Sequence, residues 1–139
     1  MRRALAFAAL IALSTAASAP TAANAAHWVK FADGANGIEW SYDTDYVYKD
    51  KATGRIVVMQ AISKPSANLM PSGPPTGVGS VYALDCEKKN LIMMGAYKPS
   101  ATFAIPDSWR SDTPKKLGGP EDEALVAAVC AKAGSYPVK

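Results

Sequence analysis

The segment Gly118-Gly119-Pro120-Glu121-Asp122-Glu123-Ala124-Leu125-Val126-Ala127-Ala128-Val129-Cys130 is where the apolar spacing of this chain changes from two residues to three and four. Leu125, Val126, Val129 and Cys130 recur at helical intervals, which places them on one stripe. Pro120 suits a first helical turn, where a missing N–H costs nothing. Glu121, Asp122 and Glu123 fall near the positive end of the helix dipole. Lys132 is expected in the last turn, with Gly134 just beyond it. Because Cys130 belongs to the apolar stripe, its bonding partner is expected under this helix.

Upstream, the pattern is one of strands. Val29 and Phe31 share a face, Asp33-Gly34-Ala35-Asn36-Gly37 supplies turn residues, and Ile38, Trp40 and Tyr42 then alternate with Glu39, Ser41 and Asp43. That reads as a first hairpin, with Trp40 and Tyr42 on the core side. Asp43-Thr44-Asp45 breaks the run, Tyr46-Val47-Tyr48 resumes it, and Lys51-Ala52-Thr53-Gly54 turns the chain into a strand from Arg55 to Ser63. In that strand Ile56, Val58 and Ile62 lie on one side and Val57, Met59 and Ala61 on the other, as expected of a central strand buried on both faces. Residues 64–77 carry Pro65, Pro71, Pro74 and Pro75, which cannot sustain a ladder and imply an exposed connection. A second hairpin is expected from Val78–Cys86 and Leu91–Lys98 across Glu87-Lys88-Lys89-Asn90, followed by loop through Trp109. Strands followed by a terminal helix predict an α+β domain: an antiparallel sheet of about six strands with one C-terminal helix packed on it.

The first residues have a different purpose. Met1-Arg2-Arg3 is basic, Ala4 to Ala12 is apolar, and small residues follow, in the order of a secretory signal peptide. Cleavage is expected after Ala23-Asn24-Ala25, giving a leader over 1–25 and a single domain over 26–139. The apolar run is too short for a membrane span, and no longer one follows. No cysteine closes the run, so no lipid anchor is expected there, and the destination is periplasmic or secreted. Arg2 and Arg3 depart with the leader and no acid does, which reduces the net charge of +3 to +1. A domain so close to neutrality has no global field for nucleic acid, and Lys88-Lys89 and Lys115-Lys116 read as solvated turn decoration.

Export gives the two cysteines their meaning. Cys86 and Cys130 are the only pair in the chain, lack C-x-x-C spacing, and would reach an oxidising compartment together, so a Cys86–Cys130 disulfide is expected. It would pin the helix to the sheet and stabilise the fold by about 4 kcal/mol in the chain-entropy model.

Several residues in order carry a resemblance to a known family: Trp28-Val29-Lys30 after the signal peptide, Tyr42-Asp43, Ile56-Val57-Val58, and Tyr82 leading to Asp85-Cys86. Tyr97, Trp109, and Pro120 opening a helix that ends in Val129-Cys130 complete the series. The chain resembles the surface-adhesin protein E-like domains of Gram-negative bacteria over nearly all of residues 26–139. That resemblance implies an antiparallel sheet of about six strands, a helix held by a disulfide, and a role at the cell envelope.

Catalytic and metal constellations are not evident. The single histidine, His27, stands beside the expected new N-terminus, where a packed triad is not expected. Asp43 and Asp45 read as turn acceptors rather than paired catalytic acids. A copper site from His27 with Met93 or Met94 would need cleavage after Ala26, which puts asparagine at an unfavourable peptidase position; adjacent strand methionines point to opposite faces, and core packing is their expected role. Trp109, between Pro106 and Pro114, is expected in a loop, as the most exposed tryptophan or as a lid over the sheet edge. No catalytic, cofactor-binding or metal residue is assigned, and no cofactor is expected. The expected function is that of an exported, noncatalytic, adhesin-like envelope protein that binds another envelope or host macromolecule, protein or otherwise, through the proline-rich connection or an open sheet face. The alternative is a periplasmic inhibitor or chaperone-like module for an envelope enzyme.

Overall fold

The computed structural model describes residues 27–63, 79–98 and 104–139. The expected leader over 1–25 with its cleavage site, and the expected proline-rich connection over 64–77, lie outside the described residues.

Strands β1 (Trp28–Asp33), β2 (Glu39–Asp43), β3 (Tyr48–Lys49), β4 (Ile56–Ser63), β5 (Gly79–Asp85), β6 (Asn90–Tyr97) and β7 (Lys115–Lys116) form one antiparallel sheet, and helix α1 spans Pro120–Cys130. The path across the sheet is β1-β2-β4-β5-β6-β7, with β3 also paired to β4. The expected antiparallel sheet, C-terminal helix and Cys86–Cys130 bridge are therefore all present. The first hairpin turns through a 3-10 turn, Ala35–Gly37, in which Asn36 and Gly37 adopt positive φ. Those are the residue types that tolerate the left-handed region.

Strand β4 is apolar on both sides because both faces of the sheet are covered. On one face Ile56, Val58, Leu84, Leu91 and Tyr42 pack with Leu125, Val126 and Val129 of α1. On the other, Val57, Met59, Val81, Ala83, Ile92 and Met94 pack with Trp109. Burial of Leu125, Val126 and Val129 contributes about 2 kcal/mol each. Among the described charged residues Asp50 is the most deeply buried, at 1% exposure, with Asp43 next at 7%.

Several local expectations are corrected. Lys115-Lys116 is not turn decoration: it pairs with Leu91 and Asn90 as an edge strand. Tyr46 and Val47 are not strand residues. The chain bulges between β2, which pairs with Gln60–Ser63, and β3, which pairs with Ile56–Val57. That bulge drops Val47 into the α1-side core at 2% exposure. The helix ends at Cys130, so Lys132 lies past it. A hydroxyl takes the place of a cation at that end: Tyr136 Oη donates to the Val129 carbonyl at 3.0 Å. Burial, with Tyr42 nearby, pushes the Tyr136 hydroxyl up to about 12. Asp122 instead marks the helix start, accepting from the Gly118 N–H at 2.7 Å.

The last residues were not expected in the sheet. Val138 forms a parallel bridge with Lys49, and the Lys49 N–H donates to the Pro137 carbonyl at 2.8 Å. The Lys139 N–H returns a bond to the Lys49 carbonyl at 3.0 Å.

One glycine is fixed by contact rather than by dihedral angle. A Cβ at Gly79, where β5 meets Ala61 of β4, would overlap the Gln60 carbonyl oxygen and sit 2.8 Å from Ala61 Cα. Gly79→Ala must therefore push two central strands apart. It is expected to cost about 2–3 kcal/mol, read as a lower midpoint in urea unfolding at unchanged m-value.

Candidate functional site

The covering of the second sheet face rests on an ion pair between residues distant in sequence. Asp50 follows β3 and opens the turn into β4. Its backbone N–H donates to the Arg55 carbonyl, and its Oδ2 accepts from Thr53 N–H at 2.9 Å and Thr53 Oγ1 at 2.7 Å. Arg110 arrives from the 3-10 turn Asp107–Ser111. Its Nε lies 3.2 Å from both Asp50 oxygens and its Nη2 lies 2.6 Å from Oδ1. Nη1 of the same guanidinium donates to Asp107 Oδ1 at 2.8 Å, and its carbon stands 4.9 Å from the Trp109 ring centroid. Every acceptor direction of Asp50 is used, so burial of the charge is compensated. The Arg110 hydrogen bonds hold the Asp50 carboxyl below its usual range, outweighing burial, which acts in the opposite sense. The pair fixes the turn that seats Trp109, which is 3% exposed. Trp109 is thus a core residue on the sheet face, not an exposed loop residue or a lid over an edge. The face expected to be open is closed.

At the start of β1 the sequence candidates do meet. His27 Nδ1 lies 2.9 Å from Asp45 Oδ2, Thr44 N–H donates to the His27 carbonyl at 3.0 Å, and Asp45 N–H donates to Asp43 Oδ1 at 2.9 Å. Asp43 is a turn acceptor, as expected. The Thr44 hydroxyl also bonds the His27 carbonyl, at 3.1 Å, rather than the imidazole, so imidazole and hydroxyl are not arranged as base and nucleophile. The His27–Asp45 pair stands in solvent, with side chains 76% and 49% exposed. Trp28 and Tyr97 touch beside this turn, ring centroids 5.7 Å apart. They come from strands on opposite sides of the sheet path, so the sheet curls around its Trp109 face. Burial, with the Asp43 charge second, raises the Tyr97 hydroxyl above its ordinary value. Met93 is exposed while Met94 is buried, on opposite sides as alternation requires. Among the described residues no three His, Cys, Asp or Glu side chains converge as metal ligands.

Two clefts flank the disulfide. One, of about 400 Å³, is lined by Lys49, Thr53, Arg55, Asp85, Cys86 and Glu87, among others. Arg55 is fixed there by bonds from Nη1 to Asn90 Oδ1 at 2.9 Å and the Ala83 carbonyl at 3.3 Å. Asp85 Oδ2 is a looser partner, 3.9 Å from Arg55 Nη2. The other cleft, of about 370 Å³, includes Cys86, Lys89, Leu117, Glu123, Val126 and Cys130.

With both faces covered, the edges are the remaining surfaces for pairing. Edge strand β1 carries Lys30, which pairs with Asp33 and Glu39, and a bulge between Lys30 and Ala32. Edge strand β7 is two lysines long. Lysines, bulges and short length are devices that discourage strand addition. Strand β6 differs. Beyond Leu91 it has no outer ladder partner among the described residues, and Leu91–Tyr97 contains neither charge nor proline. Its own bulge leaves Met94 unpaired between Val81 and Tyr82, while Met93, in register opposite Tyr82, is 38% exposed on this strand.

No protein-family model, no curated protein and no solved structure matches this chain. Among the described residues, no helix is long and apolar enough to cross a membrane.

The Asp50–Arg110 pair left no mark in sequence, since its members lie 60 residues apart. Only Asp50 and Thr53 in a turn before Gly54 hinted that an aspartate would be held there.

Proposed function

We propose that this chain is an exported, noncatalytic, adhesin-like protein of the cell envelope that binds another protein by accepting one of its strands along the outer edge of β6. The observation carrying this reading is the contrast among edges: lysines guard β1 and β7, whereas Ile92–Tyr97 of β6 is apolar, uncharged and without an outer partner among the described residues. Strand addition takes its affinity from main-chain bonds and its specificity from alternate side chains. An uncharged edge suits an uncharged, extended apolar segment, because a charged strand laid there would be desolvated without a counter-ion. The disulfide is compatible with an oxidising compartment, and the order of motifs resembling protein E-like domains supports an envelope role.

The test combines fractionation with a comparison of wild type and Met93→Lys, a charge placed beside the open edge at an exposed position. Wild type is expected at the cell surface and to retain one envelope or host protein on a column, with Met93→Lys retaining at least tenfold less. Equal retention by both forms would exclude the β6 edge. Purely periplasmic protein bound stoichiometrically to one hydrolase would replace the adhesin-like role with that of a periplasmic inhibitor.

A further inference from the structure

Cys86 contributes to the walls of both clefts and Cys130 to that of the second. Both cysteines are half-buried, whereas the residues that anchor α1 beside them, Leu125 and Val129, are fully enclosed. A disulfide sealed in a core can exchange only after unfolding. One that walls an open cleft is within reach of an attacking thiolate. We propose that Cys86–Cys130 is a thiol-exchange site, reduced in the folded state by a dithiol that enters the 370 Å³ cleft.

The cleft assigns the direction of attack. A thiolate of the dithiol attacks Cys130 Sγ, a new sulfur–sulfur bond forms there, and the old bond breaks with its electron pair passing to Cys86 Sγ. Lys89, in the wall beside Cys86, favours both the approaching anion and the departing thiolate. The opposite attack would leave the thiolate on Cys130 at the C-terminal end of α1, where the helix dipole is unfavourable to negative charge. Cys86 takes a proton from water. The second thiol of the reagent then attacks its own sulfur in the mixed disulfide, releasing Cys130. The dithiol has lost two electrons and two protons as a cyclic disulfide, and the protein has gained two thiols. Glu123, in the same wall, opposes the incoming anion. After exchange α1 is held by packing and the Tyr136–Val129 hydrogen bond, and an eleven-residue helix is marginal without such support.

The measurement is the rate of thiol appearance in the intact exported protein under a dithiothreitol series, in buffer without denaturant, with circular dichroism recorded alongside. The rate is expected to rise in proportion to dithiothreitol with no plateau while the sheet signal persists. Lys89→Gln is expected to slow it roughly twofold and Glu123→Gln to quicken it roughly twofold, as for exposed charges near a reacting anion. A rate that levels off independently of dithiothreitol would mean that unfolding precedes reduction, and would overturn the proposal. So would charge variants that leave the rate unchanged.

Discussion

Asp50→Ala is expected to lower the unfolding free energy by about 3 kcal/mol at neutral pH, the scale for breaking a buried, hydrogen-bonded charge pair. The side chain is 1% exposed and accepts bonds from both Thr53 and Arg110, so its loss frees the Asp107–Ser111 turn and the Trp109 seat together. Arg110 is one-third exposed and can turn to water, which limits the penalty. The pH dependence identifies the cause. The folded-state carboxyl is held below its ordinary value, so its contribution is complete above the unfolded pKa of about 4 and disappears as pH falls through the lower folded value. The melting-temperature gap between wild type and Asp50→Ala should therefore be constant from pH 8 to about 5 and narrow below about 4. A gap that widens in acid would contradict the assignment. Tryptophan fluorescence should report the same event, as Trp109 moves from the apolar face into solvent.

Replacing both cysteines, Cys86→Ser with Cys130→Ser, is expected to cost about 4 kcal/mol, since the bridge closes a loop of 44 residues. Domains of this size are commonly stable by about 5–15 kcal/mol, so the variant should fold with a much lower urea midpoint. The loss should not be uniform. Amides of α1 should exchange with solvent well before those of β4 and β5, because the helix has lost its covalent tie while the central strands keep both faces covered. Equal protection losses in helix and sheet would mean that the bridge acts on the unfolded chain alone.

These two effects divide along what the sequence discloses. The disulfide, the helix under Cys130 and the two-faced strand Ile56–Ser63 are legible because each rests on local spacing and residue type. The Asp50–Arg110 pair, the burial of Trp109 and the pairing of Lys115-Lys116 are not. Each depends on a tertiary neighbour that no periodicity encodes: Trp109 reads as loop because its own turn is loop-like, and only the apolar row Val57, Met59, Val81 opposite makes it core. Tyr46-Val47 reads as strand because its composition favours one. Competition for the same partner overrides this, since β4 receives β2 and β3 at different levels and the residues between must bulge. The candidate surface follows the same division. The composition of Leu91–Tyr97 is plain in the sequence, whereas its lack of an outer neighbour emerges only from strand order.

The bridge from Lys49 to Val138 ties a segment that precedes β4 to one that follows α1. Residues 49–51 precede β4 in sequence, yet they share main-chain bonds with Pro137 and Lys139, almost ninety positions later. The hairpins around β4, β5 and β6 rest on contacts much closer in sequence. The margin at Lys49 must close a far longer loop, so it is expected to be the last part of the sheet to form and the first to open.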